Sequence, residues 1–158
     1  EKIKLMSNIM ENMEYADIVR GSSEDFAILY NKTDAEAIYK SQISFYTKKF
    51  IYTSGSAPVI LKADGGFSKQ YAVESASTVS TIGAGDNFNA GVIFGLLKHG
   101  ITREHIDNRL TEEQWDGIIG CAMRFSANVC KSINNYVDNE FANAMQREMS
   151  DFIEENNK

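Results

Sequence analysis

A glycine-rich turn that carries a single carboxylate is the stretch of the sequence best suited to chemistry. Residues 80–91 read STIGAGDNFNAG, and a strongly apolar helical pattern follows directly. Glycines allow successive backbone N–H groups to point into one space, and the first N–H groups of a helix have no partner within the helix. With the positive end of the helix dipole they form an anion site, most often for phosphate.

Asp86 would stand at this same site. A carboxylate there is stabilised in its charged form, so it can accept a proton or a hydrogen bond from a substrate hydroxyl. Phosphoryl transfer needs positioned reactants, donors for the developing charge, and a residue that orients the nucleophile. The alternative is that Asp86 only caps the helix, and from the residues alone the two interpretations are equal.

Other motifs for phosphate binding or catalysis fit the sequence less well. A dinucleotide fingerprint needs a third glycine where Phe88 stands. Residues 95–102, GLLKHGIT, contain two glycines of a P-loop but have Ile101 in place of its lysine. Neither G-x-S-x-G nor H-E-x-x-H occurs in the sequence. His99 and His105 are expected to be exposed to solvent and to have no role.

Composition and charge restrict the class of function. The chain has 158 residues with a formal net charge of −6, which argues against a nucleic-acid or anionic-membrane binder because these need a basic face. We expect no membrane-spanning segment and no signal peptide. Cys121 and Cys130 are too far apart on one helix for a disulfide, which suggests a reducing compartment. A cytoplasmic protein is therefore expected.

Alternating strand and helix patterns predict an α/β protein whose elements position the turn. Capping boxes are predicted at Thr33 with Glu36 and at Thr111 with Gln114. Gly91 and Gly95 are expected to let their helix lie against the sheet. Strand patterns cover 16–21 and 49–55, a hairpin with positive-φ residues in Asp64-Gly65-Gly66 covers 58–75, and helical patterns cover 2–13, 22–31, 34–49, 85–98, the stretch after Thr111 and 139–155.

The glycine turn resembles the signature of the ribokinase-like (pfkB-type) carbohydrate kinases, D-T-x-G-A-G-D-x-F-x-A-G. The sequence matches every position except the first, where Ser80 replaces aspartate. The resemblance implies that Asp86 is the catalytic base that receives the proton of the sugar hydroxyl. It also implies that the backbone amides of Gly83, Ala84 and Gly85 form an anion hole for the transferred phosphate.

Three further stretches extend the resemblance. ADIVRGSSED resembles the family's N-x-x-E segment, which helps to hold magnesium and phosphates through water; Ser22 and Asp25 stand at its two ends, and a serine cap with a first-turn acid is the alternative. TSGSAP resembles the nucleotide-binding T-x-G-x-x-G loop in Thr53 and Gly55, with proline in place of the last glycine. FSANV resembles the helix that flanks adenine in this family, with Asn128 at its polar position. The alternative is that Asn128 is an ordinary exposed asparagine.

A monovalent cation is doubtful in this chain. Many family members bind one beside the glycine turn, partly through the aspartate that Ser80 replaces. Residues 131–137, KSINNYV, also match the later loop of that cation site poorly. Potassium activation is therefore not expected.

The resemblance implies a three-layer, Rossmann-like (ribokinase-like) fold with a mainly parallel sheet and a β-hairpin. The fold would be incomplete because the N-terminal half, with its lid and most sugar contacts, is absent. Residues 1–158 would then form the C-terminal nucleotide-binding and catalytic portion of a sugar kinase, inactive by itself.

The implied activity is ATP-dependent phosphorylation of a sugar hydroxyl by a fructokinase-like enzyme with Mg²⁺. Nucleoside and phosphosugar kinases share the signature, and a non-catalytic nucleotide- or sugar-sensing module is the alternative from another class. The expected partners are the sugar and ATP, with no nucleic acid or membrane. A homodimer is an open alternative.

Overall fold

The structure is a computed structural model that describes residues 2–74 and 77–156. It divides into two compact units, Glu1–Glu74 and Ser75–Lys158. Ser75, the predicted last residue of the hairpin, lies outside the described residues. No helix among the described residues is both long and apolar enough to cross a membrane.

The first unit combines short helices with a four-stranded sheet. Helix α3 continues directly into a π-helical turn, and a short 3₁₀ turn joins the last two strands. The elements are α1 (Lys2–Met13), β1 (Ile18–Ser22), α2 (Ser23–Tyr30), α3 (Ala35–Ile38), the π-helical turn (Tyr39–Ile43), β2 (Lys49–Thr53), β3 (Val59–Ala63), the 3₁₀ turn (Asp64–Gly66) and β4 (Phe67–Tyr71).

The sheet is mixed, with the strand order β1-β2-β3-β4. β1 pairs with β2 in parallel, whereas the other two pairings are antiparallel. Only one of the three strand pairings is thus parallel, whereas the sequence suggested a sheet in which most pairings are parallel. The reason is that a parallel pair needs a long crossover, and only the β1-to-β2 connection contains helices. The α/β class is confirmed.

The hairpin turn has the conformation that its sequence predicts. Gly65 and Gly66 have φ values of 71° and 77°, a region that glycine adopts without a steric penalty. Phe67 pairs with Ala63, which fixes the register of β4 on β3 directly after the turn. Local glycine chemistry is therefore sufficient to place this hairpin.

The predicted capping box at Thr33 and Glu36 is wrong. The N-cap of α3 is Asp34, whose carboxylate accepts a hydrogen bond from the Ala37 N–H at 2.7 Å. The Glu36 carboxylate instead forms ion pairs with Lys40 and with Lys62 on strand β3. The helical segment also ends at Ile43, because the chain must turn before β2 starts at Lys49.

An aromatic cluster forms the core of the first unit. Phe26 on α2 packs against two side chains of β2, edge-on to Phe50 with ring centroids 5.5 Å apart and stacked with Tyr52 at 6.0 Å. Burial of such rings is the main source of stability for a unit of this size. The same cluster includes Met13, Ala35, Ile38 and Ile43.

The second unit is helical in its described residues. The short helix α5 was not predicted from the sequence. The elements are α4 (Ala84–Lys98), α5 (Arg103–Asp107), α6 (Glu112–Val129) and α7 (Asn139–Asn156).

Helices α4 and α6 pack at close range through two glycines. A Cβ atom added to Gly91 would lie 2.5 Å from the Ala122 Cα, and one added to Gly95 would lie 2.8 Å from the Ile118 Cα. Real Cβ atoms do not approach this closely, so only glycine permits the observed distance between the helices. The two glycines therefore face a second helix, where the sequence had suggested the sheet.

The ends of these helices show one prediction confirmed and one overturned. The Thr111–Gln114 capping box is present at the start of α6. His99, predicted to be exposed, is half-buried, because its imidazole fills the space beside Gly117 and meets the edge of the Phe152 ring. Burial lowers the pKa of His99.

His105 is exposed as predicted but has a structural role. Its Nδ1 accepts a hydrogen bond from the Thr102 N–H at 3.0 Å, at the N-terminus of α5.

Candidate functional site

The glycine turn enters α4 through a backbone conformation that glycine favours. Gly83 is the N-cap residue, with φ 78° and ψ −1°, and no side chain in the described part of the chain caps the helix there. A Cβ atom at Gly83 would lie 2.9 Å from both the Cβ and the carbonyl oxygen of Asn135. Gly83 is thus required both for the left-handed conformation and for the close approach of residues 131–137.

Backbone donors are available at the start of α4. The Ala84 N–H donates to the Thr81 carbonyl at 3.1 Å. The N–H groups of Gly83, Gly85 and Asp86 make no hydrogen bond within the described parts of the chain. Unpaired donors at the positive end of a 15-residue helix can hold an anion. Of the three backbone amides that the resemblance assigns to the anion hole, only that of Ala84 already donates a hydrogen bond to another residue of the described chain.

Asp86 presents an exposed carboxylate in the first turn of α4. Its carboxylate takes part in no hydrogen bond or ion pair with the residues that the structure describes. Because Gly83 occupies the N-cap, the capping role that rivalled the chemical one is not observed. The carboxylate is therefore free to accept a hydrogen bond from a ligand.

The segment that follows α6 supports the turn from two points. The carbonyl of Cys130 accepts hydrogen bonds from the N–H groups of Val79 at 2.8 Å and Ser80 at 3.4 Å. The Asn87 side-chain amide donates to the carbonyls of Gly83 and Asn135, each at 2.9 Å. Sequence reasoning did not identify Asn87, because it occupies a variable position of the signature and its partner lies 48 residues away.

Asn128, the predicted adenine-flanking residue, makes two hydrogen bonds with Asp138. Its Nδ2 donates to the Asp138 carboxylate at 2.7 Å, and its Oδ1 accepts from the Asp138 N–H at 3.1 Å. The Phe141 N–H also donates to this carboxylate, and these bonds, led by that of Phe141, lower the pKa of Asp138. Asn128 thus joins the two ends of the loop 131–137, and its nucleotide role stays a prediction.

In the first unit, Ser22 and Asp25 form the capping box of α2. One Asp25 carboxylate oxygen accepts from both the N–H and the hydroxyl of Ser22 at 2.8 Å, and the Ser22 hydroxyl accepts from the Asp25 N–H at 3.1 Å. The structural alternative from the sequence is therefore present. Nucleotide binding by Ser22 and water-mediated magnesium binding by Asp25 remain predictions, and the second carboxylate oxygen is available for them.

Thr53 and Gly55 lie beside this capping box. Thr53 is the register partner of Ser22 in the parallel β1–β2 pair, so both stand at the carboxyl ends of adjacent strands. The Thr53 hydroxyl accepts a hydrogen bond from the Arg20 guanidinium at 2.7 Å, and Gly55 has φ 52° with open space around it. Ligands of α/β sheets bind at this kind of edge. The structure thus brings the candidate residues of the first unit together.

The described residues contain no group of three or more His, Cys, Asp or Glu side chains that could hold a metal ion directly.

Both the sheet with its crossover helices and the glycine turn before a long helix are features of the ribokinase-like kinases. The model of the pfkB family carbohydrate kinases matches residues 2–114. The chain therefore belongs to the pfkB family of carbohydrate kinases. Comparison with curated protein sequences finds no significant match.

Solved structures confirm the ribokinase-like fold. Aminoimidazole riboside kinase from Salmonella enterica superposes with a TM-score of 0.71 at 18% identity, over 92% of this chain and 46% of its own. Fructokinase from Vibrio cholerae O395 gives 0.70 at 17% identity, over 84% and 40%. Adenosine kinase from Sinorhizobium meliloti gives 0.64 at 19% identity, over 91% and 40%. The chain spans less than half the length of each.

Proposed function

We propose that the protein to which this chain belongs transfers the terminal phosphoryl group of ATP to a sugar hydroxyl, as a fructokinase-like enzyme. One observation carries the proposal: the Asp86 carboxylate is exposed and unpartnered beside the unpaired amides of Gly83 and Gly85, in a chain of the pfkB family. Because the chain spans less than half of the related structures, the proposal concerns the whole protein.

In this proposal each group of the turn has one task. Asp86 accepts the proton of the substrate hydroxyl as its oxygen attacks the γ-phosphorus, and the bond between that phosphorus and the β–γ bridging oxygen breaks. The unpaired amides hold the negative charge that grows on the transferred group, at the positive end of the α4 dipole. The products are the phosphorylated sugar and ADP.

Ser22, Thr53 and Gly55, at the sheet edge of the first unit, would contact the nucleotide. A nucleotide contact by Asn128, in the second unit, is proposed from the family resemblance alone. Two related structures support ATP as the donor: the aminoimidazole riboside kinase contains an ATP analogue, and the fructokinase contains fructose and ADP. Mg²⁺ would neutralise the phosphate charge, and the free carboxylate oxygen of Asp25 fits a water-mediated contact to it.

The test is a kinase assay of the full-length protein with ATP and Mg²⁺ against a panel of sugars and nucleosides. Asp86→Asn should reduce turnover by a factor of about 10²–10⁴, the usual contribution of a general base, with ATP affinity nearly unchanged by calorimetry. Asp151→Asn removes the same charge from an exposed position on α7 and should have no effect.

The possible outcomes separate the candidate functions. Persistent turnover in Asp86→Asn would show that the assigned base is wrong. ATP or sugar binding by the unmodified protein without any turnover would favour the sensing module. Preference for a nucleoside over fructose would move the protein to the nucleoside kinases of the same family, of which the adenosine kinases among the related structures are examples.

A further inference from the structure

Asn87 connects two backbone segments that are distant in sequence. Its side-chain amide donates one hydrogen bond to the Gly83 carbonyl and one to the Asn135 carbonyl, both at 2.9 Å. A side-chain amide has two N–H donors, so both are used. The backbone N–H of Asn87 also donates to the Gly83 carbonyl at 2.9 Å, so one residue binds that oxygen twice.

These contacts fix the orientation of the glycine turn. The Gly83 carbonyl belongs to the peptide group whose N–H is that of Ala84, so holding this oxygen sets the plane of the peptide that leads into α4. The Asn135 backbone lies where a Gly83 side chain would be, which leaves the turn no room to rotate toward the loop 131–137. The N–H groups of Gly85 and Asp86 belong to the next two peptide groups of α4, so their direction depends on this peptide plane together with the helical backbone angles that follow it.

We propose that Asn87 is a positioning residue for phosphoryl transfer: its side-chain amide clamps the loop 131–137 onto the glycine turn and thereby aims the unpaired amides of the turn at the transferred phosphate. The role rests on the proposed kinase function. Asn87 touches neither substrate in this scheme and acts only through the backbone of Gly83. Preorganised donors act mainly on the transition state, so the effect should fall on kcat.

The experiment compares three forms of the full-length protein: unmodified, Asn87→Ala and Thr111→Ala. Thr111→Ala is the matched control, because it removes the hydrogen bond from the Gln114 N–H to the Thr111 hydroxyl in the α6 capping box, far along the chain from the turn. The readouts are backbone hydrogen exchange over residues 79–86 and 131–137, and kcat and KM for ATP with the sugar that the panel selects.

Asn87→Ala should accelerate exchange in both segments together and lower kcat about 10-fold, less than the full loss of one transition-state donor, with KM for ATP changed by less than about 3-fold. Thr111→Ala should do neither. An unchanged kcat in Asn87→Ala overturns the proposal, whatever the exchange shows. An equal fall of kcat in Thr111→Ala overturns it too, because general destabilisation would then explain both.

A failure of the kinase function gives a different result. In one such result, the unmodified protein turns over no substrate in the panel while Asn87→Ala still accelerates exchange in both segments. That result would show that Asn87 holds the two segments together, and it would refute both its role in catalysis and the proposed kinase function. If exchange and kcat are both unchanged in Asn87→Ala while the unmodified protein is active, only the positioning role is refuted.

Discussion

The contact between α4 and α6 makes a sharp prediction about stability. Gly91→Ala would place a methyl group 2.5 Å from the Ala122 Cα and 2.8 Å from the Cys121 carbonyl oxygen. Both neighbours are backbone atoms, so no side chain can rotate away to make room. Ordinary contacts begin at 3.4 Å, so the helices must separate by about 0.9 Å locally.

The size of the effect follows from two opposing contributions. Overpacking of this kind typically costs about 1–3 kcal/mol, while alanine gains about 1 kcal/mol over glycine as a helix former. Gly120 on α6 provides the matched control, because none of the described residues lies within 4 Å of its added Cβ. Gly91→Ala should therefore lower the free energy of unfolding by up to about 2 kcal/mol, and Gly120→Ala should raise it by up to about 1 kcal/mol.

The assay is urea unfolding followed by the fluorescence of Trp115. This is the single tryptophan of the chain; it lies on α6 and is only 1% exposed, so it reports on the second unit. The two variants should shift the midpoint in opposite directions with unchanged slopes. A Gly91→Ala variant that is at least as stable as the Gly120→Ala variant would refute the argument from close packing.

Two further predictions concern charge. Hydrogen bonds from Arg124 and then Lys98 lower the pKa of Glu148 to about 2, so the unfolded chain binds a proton there more readily than the folded one. The free energy of unfolding should therefore decrease as the pH falls from about 4.5 to 2. In acid-unfolding curves, Glu148→Gln should reduce this dependence of the free energy of unfolding on pH, whereas Glu104→Gln should not. Separately, turnover of the full-length protein should be equal in potassium and tetramethylammonium buffers. The reason is that Ser80 supplies a neutral hydroxyl, which already accepts a hydrogen bond from the Ile82 N–H. Clear activation by potassium would contradict this prediction.

Local signals explain the parts of the fold that the sequence predicts well. The hairpin turn follows from Gly65 and Gly66, and the start of α6 follows from Thr111 and Gln114, because each involves residues within a few positions of one another. The start of α4 after Gly83 is of the same kind. The signature motif by itself is enough to locate Asp86 there, although the chemical role of this residue stays a prediction.

Features that depend on distant partners could not be predicted in this way. Thr33 and Asp34 are both good capping residues, and the choice falls on Asp34 while Glu36 pairs with Lys62 on the hairpin. His99 is half-buried because Gly117, on another helix, leaves room for its ring. No local pattern contains these contacts.

The contribution of Asn87 depends on the entropy of the chain between its two partners. Asn87 and Asn135 are 48 residues apart, and closing such a loop in a flexible chain costs about 3 kcal/mol. Each neutral hydrogen bond returns about 1 kcal/mol net, so the Asn87 bonds cannot hold the loop by themselves. They persist because α4 and α6 are already packed at Gly91 and Gly95. The geometry of the glycine turn therefore also depends on Gly91 and Gly95, one and two helical turns beyond Asn87, and a substitution at either position would loosen the glycine turn without contacting it.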